Sequence, residues 1–548
     1  MKKKGRKLFA LLLALVMLVG AVPLTVSAAD PPQHVEMFED GYYYEIEYEP
    51  KDFLSFIVSI TGCDETVTGD IVLPSTLGGY NVRYAMVDAF CDRKDITHVT
   101  LPDGVVWAGR ASWDYEVDES NWDGNVLYYQ DCLLASRDLK GEYKVKDGTV
   151  YIAPDAFSAF FGMNDNGEVV GHNGNDELTS LILPDSVISI GSPWGYANSG
   201  ISCENLEKLD LGKGVKSIRG INCPKLESLE IPESVEYIGY NAINCESLKD
   251  IKLPDKPIEI GEEAFQSTAY YKDESNWSNG VLYIGNHLIK VDEEKFEGSV
   301  LSVREGTVGM ANCVARLNKK IEVVELPDSL RQLSDDAFHS CWSLKEVNIP
   351  DGIEIIPSFA FLFCTSLESV ELPESVRIIG NGAFENCSSL KNVTISYGVT
   401  HIYNSAFWDC RELSSLGIPE SVKMIGDFAL SDNANLKEII IPRSVEYIGE
   451  KAYGYEECLG RCGEGIFCGH RIKSDDRTIY GYKDTAAERY ANENEIKFVD
   501  LENIPDPSEG CPCRCHKDGF DNLIYKILRI FWKLFRTHEF CECGAKHY

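Results

Sequence analysis

Seven residues near the C-terminus could hold a metal ion: Cys511, Cys513, Cys515, His516, Cys541, Cys543 and His547. Thiolate and imidazole are zinc's usual protein ligands, and four of them make a tetrahedral structural site. The clusters CPCRCH and CECGAKHY flank the segment DNLIYKILRIFWKLFRT, Asp521 to Thr537, so one structural zinc ion would join its two ends. C-x-C is a less usual zinc spacing than C-x-x-C, and disulfides among the same thiols are the alternative. The pattern suggests no other cofactor. A looser group, Cys458, Cys462 and Cys468 with His470, suits either zinc or one disulfide with a spare thiol.

Between the terminal clusters, Lys526, Arg529, Lys533 and Arg536 are spaced three, four and three apart, which puts them on one stripe of a helix. Trp532 and its aliphatic and aromatic neighbours cover the rest. The segment is too short and too charged to span a bilayer. It suits peripheral contact with anionic lipid or a cell-wall polymer; a small closed hairpin that only caps the chain is the other reading. No later stretch is apolar and long enough for a transmembrane span. Catalytic patterns are missing: there is no G-x-S-x-G, no H-E-x-x-H, no phosphate loop and no dinucleotide fingerprint. The histidines fall at unrelated positions, and no enzyme is expected.

Lys2, Lys3, Lys4, Arg6 and Lys7 precede an apolar run from Leu8 to Leu24, and Val26-Ser27-Ala28 supplies the small residues a signal peptidase reads. Residues 1–28 are therefore read as a secretory signal peptide, and Asp30 just beyond argues against an uncleaved anchor. The whole chain carries a net charge of −35, and with those five basic residues removed it is near −40. Such a field repels nucleic acid and anionic lipid from the main body.

The elements that must position everything else come from a repeat. From Asn318 to Tyr455 the chain divides without a gap into six units of 23 residues. Ile321, Leu344, Leu367, Leu390, Leu413 and Leu436 recur at one position, and Ala337, Ala360, Ala383, Ala406, Ala429 and Ala452 at another. L-x-x-V-x-[IL]-P reads as a short strand that proline ends. A second apolar pair follows, then often a glycine, as Gly380, Gly426 and Gly449, and A-F-x-x-C suits one irregular turn. No unit could bury its own apolar face, so the units must stack. Cys245, Cys341, Cys364, Cys387 and Cys410 open units and are expected to be buried free thiols rather than disulfides.

The motif L-x-x-V-x-I-P-x-x-V-x-x-I-G-x-x-A-F-x-x-C, nearly complete from Leu367 to Cys387, resembles the BspA-like class of bacterial leucine-rich repeats. The resemblance runs from about Gly69 to Leu501, with Ser396 in place of a proline and Asn433 in place of a cysteine. It implies a β-dominated repeat solenoid with short parallel strands and short helical turns. It also implies a secreted or cell-surface protein that binds host or neighbouring-cell proteins or glycans, with a structural spacer displaying its tail as the alternative. The outward strand positions would make the binding face: Glu325, Asn348, Glu371, Thr394, Gly417 and Ile440, with Glu346, Ser369, Asn392, Ser415 and Glu438 beside them.

The expected organisation follows. A β cap over residues 29–68 precedes a solenoid over 69–267, with a β insertion at about 115–157. A second insertion spans 268–317, the regular repeats 318–455 and a Cys/Gly-rich insertion 456–477. A C-terminal cap over 478–501, with a helix from about Thr485 to Asn494 capped by Asp484, a linker over 502–510 and the small helical tail over 511–548 complete the chain. The two insertions repeat one another, Asp118-Asn121-Trp122 matching Asp273-Asn276-Trp277. Each is either a ligand-facing bulge or an elongated coil with an aromatic packing pair.

Overall fold

In the 23-residue repeat the apolar strand run is closed by a proline and the second apolar pair is often followed by a glycine, so the repeat folds into short strands joined by tight corners. The computed structural model describes residues 37–503, apart from 50–51, 92, 94, 104, 110–121, 155, 159, 164–168, 173, 192–199, 458–460, 463–465 and 468–470. The signal peptide and the tail from 504 on therefore lie outside the described residues. The fold is a strand-dominated stack of repeated coils with few helices.

One coil shows the logic. The strand Ser369–Glu371 forms its first side and pairs in parallel with Asn392–Thr394, Val370 opposite Val393, an offset of one repeat. Val370 points inward and is buried, while Ser369 and Glu371 face water. The second side is Ile378–Ile379, the second member of a five-stranded parallel ladder with Ile355–Ile356, His401–Ile402, Met424–Ile425 and Tyr447–Ile448. Ile356, Ile379, Ile402 and Ile425 line the interior. Glycine after this strand is explained by close approach, not by backbone handedness. A Cβ on Gly380 would lie 2.8 Å from the Ser358 nitrogen, and one on Gly426 would lie 2.5 Å from Asn404 Oδ1.

The third side holds its neighbours through alternate residues. Asp336, Phe338 and Ser340 donate their backbone N–H groups to the carbonyls of Ser358, Ala360 and Leu362 in the next coil, at 3.1, 2.8 and 2.7 Å. Two residues per coil turn left-handed to allow this. Before the alanine these are Asp336, Phe359, Ser405, Phe428 and Lys451, with φ of 48–57°. Before the cysteine position they are Leu317, Ser340, Phe363, Asn386, Asp409 and Asp432, with φ of 57–66°. Inside, Phe338, Phe361, Phe384 and Phe407 stack with ring centroids 5.6, 5.3 and 5.3 Å apart. Each such pair adds about 0.5–1.5 kcal/mol beyond the burial itself.

At the N-terminal end, Met37–Glu39, Tyr42–Glu49 and Asp52–Cys63 form antiparallel strands, and Tyr80–Met86 and Val106–Ala108 extend that sheet in parallel. At the other end the helix Ala486–Glu493 lays Ala486, Ala487, Tyr490 and Ala491 on the last coil. The Tyr490 hydroxyl donates to the Tyr453 carbonyl and accepts from its N–H. Thr485, not Asp484, occupies the cap position of this helix. Asp484 is itself left-handed, with φ of 57°, and its N–H donates to the Glu488 carboxylate at 2.8 Å.

The interior is not one unbroken column. The hairpin of Val281–Ile284 and His287–Val291 stands between two buried clusters. Leu282, Ile284 and Ile289 belong to the cluster of the earlier coils, and Val281, Leu288 and Val291 to that of the later ones. With both faces buried, the hairpin is a partition inside the stack rather than a bulge into solvent. The two insertions repeat their contacts as well as their letters. Lys146 donates its backbone N–H to the Tyr128 hydroxyl and lies over its ring. Arg304 does the same to Tyr283.

Candidate binding surfaces

The first-side strands carry the expected outward row. Glu325, Asn348, Glu371, Thr394 and Gly417 are exposed, as are Glu346, Ser369 and Asn392. Ser415, Glu438 and Ile440 are partly covered. At that end the strand Thr478–Gly481 pairs with Glu438–Ile440, and the Tyr480 hydroxyl donates to Glu438. The row is continuous in space but not as one sheet. Its strands form the sets Val300–Ser302, Val323–Glu325 and Glu346–Val347, then Ser369–Glu371 with Asn392–Thr394, and then a bridge from Gly417 to Ile440.

Asn348 is partly spent on the scaffold. Its Oδ1 accepts from the Leu326 N–H at 2.7 Å and its Nδ2 donates to the Leu326 carbonyl at 2.8 Å. Glu325 accepts from the Ser302 hydroxyl of the preceding coil, so the free polar groups of the face are chiefly Glu371, Thr394 and Asn392. Beside them runs a row of alternating charge that sequence reasoning missed, in which Lys345 pairs with Glu322 at 2.7 Å and Lys391 with Glu368 at 3.4 Å. Both pairs are solvent-exposed, so each contributes at most about 1 kcal/mol. Their 23-residue offset was present in the letters, but pairing across coils requires the register.

A second ladder escaped notice because its residue type varies. Asp335, Asn381, Asn404 and Asp427 stand two residues before the repeated alanine. Each side-chain oxygen accepts the N–H of the same position one coil on, from Ser358, Asn404, Asp427 and Glu450 respectively. Burial, with Glu259 nearby, pushes the Asp335 carboxyl up to about 6, and burial raises Asp427 also.

A sizeable concavity lies near the N-terminal end, where the second-side ladder breaks. Val106–Ala108 pairs only with Tyr80–Met86, whereas the next coils' ladder ends on the first insertion, Cys132–Ser136 beside Tyr151–Ile152. Side chains span the break instead. Trp107 Nε1 donates to Asp131 Oδ1 at 2.9 Å, and Gln130 Oε1 accepts from the Val99 N–H at 3.2 Å. The cleft holds about 520 Å³, with Val106, Val150 and Ile188 as apolar wall and Gln130, Asp131 and His98 at its polar side.

The suggested metal ligands Cys511, Cys513, Cys515, His516, Cys541, Cys543 and His547 lie outside the described residues, as do Lys526, Arg529, Trp532, Lys533 and Arg536. So do the side chains of Cys458, Cys462, Cys468 and His470. Among the described residues no group of three His, Cys, Asp or Glu side chains is placed to hold a metal ion, and no helix is long and apolar enough to cross a membrane.

The family described as BspA type leucine rich repeat region matches residues 172–294 and 331–459, in six copies. No curated protein matches. Among solved structures, a leucine-rich repeat protein from Bacteroides ovatus is 21% identical, with 75% of this chain and 96% of that one covered and a TM-score of 0.27. A leucine rich cell surface protein from Faecalibacterium prausnitzii is 18% identical over 77% and 96%, with a TM-score of 0.22. The pneumococcal vaccine antigen PcpA is 15% identical over 85% and 98%, with a TM-score of 0.25. The chain thus carries six leucine-rich repeats of the BspA type, over residues 172–294 and 331–459.

Proposed function

We propose that the chain is a non-catalytic binding scaffold, secreted or held at the cell surface, that presents the first-side row to proteins or glycans of a host or of neighbouring cells. The observation that carries this reading is the row itself. Glu325, Glu371, Asn392 and Thr394 stand exposed on successive short strands whose inward neighbours are apolar, so the coil spends its apolar residues on stability and leaves one polar flank to vary. A stack of such coils offers a broad surface held rigid from within. The basic and apolar N-terminal segment with its small-residue site supports export. The acidic charge disfavours nucleic acid as a partner.

The test is binding of the chain lacking residues 1–28 to arrays of extracellular matrix proteins and of glycans. A specific ligand should appear, and Glu325→Lys with Glu371→Lys should weaken it at least tenfold while the melting temperature stays within a few degrees. If no ligand binds, and removal of residues 511–548 alone abolishes cell association, the spacer reading replaces this one.

A further inference from the structure

The cleft at the ladder break differs from the rest of the solenoid in what its wall is made of. Ile188 donates its N–H to the Val150 carbonyl and accepts from Lys216, whose carbonyl in turn accepts from Glu236. These residues therefore share one solvent-facing position in successive coils. Further along, the position reads Lys216, Glu236, Arg331, Glu354, Arg377, Thr400, Lys423 and Glu446, with Ile258 and Val308 the exceptions at the second insertion. At the cleft it reads Val106, Val150 and Ile188, and Ile188 is 37% exposed. An aliphatic wall has replaced a charged row where the backbone ladder is interrupted.

Two polar groups look onto that wall. The Gln130 amide is fixed by its oxygen on the Val99 N–H, with its Nε2 buried beside the Tyr129 hydroxyl. Asp131 is held by Trp107 through one carboxylate oxygen. The rings of Trp107 and Tyr151 are 3% and 1% exposed, so no open aromatic face is offered for a sugar ring to stack on. A volume of about 520 Å³ falls within the range of built ligand pockets.

We propose that this cleft docks an extended segment of a partner protein. One aliphatic side chain of the segment seats against Val106, Val150 and Ile188. A neighbouring lysine or arginine of the segment reaches the Asp131 carboxylate. The net charge of −35 favours a basic segment and speeds its approach. The site is separate from the first-side row, so the two readings stand or fall independently.

The test is selection of a displayed library of random seven-residue peptides on the chain lacking residues 1–28. Enriched peptides should pair an aliphatic residue with a lysine or arginine within three positions. Synthetic copies should bind at least tenfold more weakly to Ile188→Lys, and Asp131→Asn should weaken only those copies that keep their basic residue. Lysine is tolerable there because Lys216 occupies the same position one coil on; should the variant melt far below the parent, Ile188→Ser takes its place. No enrichment, enrichment indifferent to both Ile188 variants, or a glycan whose binding is lost with Ile188 while no peptide binds would each overturn the proposal. Peptides indifferent to Ile188 but lost with Glu325→Lys and Glu371→Lys would overturn it while leaving the open-face reading intact.

Discussion

The thiol of Cys387 donates to the carbonyl oxygen of Phe361 at 3.2 Å, reaching back 26 residues into the preceding coil. Cys341, Cys364 and Cys410 make the same bond to Ala315, Phe338 and Phe384 at the same distance. In the last coil Asn433 takes the position, and its Nδ2 donates to Phe407 at 2.9 Å. The position thus requires a small side chain that carries a donor, and asparagine meets the need where cysteine is absent.

Truncating that donor should cost stability in two ways. Cys387→Ala leaves a small void and removes one of two hydrogen bonds at the Phe361 carbonyl, which still accepts from the Cys364 N–H at 3.1 Å, for a loss of roughly 1–2 kcal/mol. Cys387→Ser keeps a donor and should lose less than Cys387→Ala. Denaturant unfolding of both variants checks the order; an equal loss would show that the thiol acts by volume alone.

The same burial should make these thiols inert. It pushes Cys341 up to about 12 and raises Cys364, Cys387 and Cys410 well above the ordinary thiol range. The thiolate is the nucleophile, so iodoacetamide at pH 8 should leave all four unlabelled in the native chain and label them after denaturation. Mass spectrometry of tryptic peptides reads this directly, and rapid labelling of Cys387 in the folded protein would refute it.

Asp335 should weaken the fold as pH rises. Its carboxyl sits near 6 in the folded chain and near 4 when unfolded. The folded state therefore holds the extra proton between those values, and stability falls as pH climbs from about 4 to about 6. Asp335→Asn keeps the acceptor for Ser358, as Asn404 does for Asp427. It should be the more stable by on the order of 2 kcal/mol at pH 7, with the difference vanishing by pH 4. Buried His287, lowered to about 4 by loss of hydration, has the opposite slope over pH 4–6.5, so the pH dependence must be read as variant against parent. A difference that is constant with pH would remove Asp335 from the account.

Left-handed backbone predicts one gain. Leu317 is 47% exposed with φ of 66°, a conformation that costs a branched residue about 1–2 kcal/mol. Asn386 holds the equivalent place three coils on. Leu317→Asn should raise stability by about 0.5–1 kcal/mol. A fall in melting temperature would mean that the leucine's contacts outweigh its strain.

The parts of the fold that were legible were those carried by residue identity. The 23-residue period, the inward Val370 and Ile379, the small Ala383 and the buried Cys387 all follow from apolar type at fixed spacing. The Asp335-to-Asp427 ladder was hidden because aspartate, serine and asparagine share the position, and the left-handed sites because phenylalanine and lysine fill them as well as asparagine. Asp484 looked like the cap of the last helix by type, but its own left-handed turn moved the cap to Thr485. The partition at Val281–Val291 and the cleft at Asp131 depend on where one ladder stops and another begins. No local pattern records that.

Lengthening the stack tests its central claim most directly: each coil is a complete turn held only by the coil before and the coil after. A second copy of residues 364–386 inserted after Asn386 would restore the Cys-to-carbonyl bond, the Asn ladder and the phenylalanine stack at the new junctions. Thermal unfolding of that variant should show one cooperative transition at or above the parent's melting temperature. A chain that no longer folds, or that melts well below the parent, would contradict the stacked-coil account.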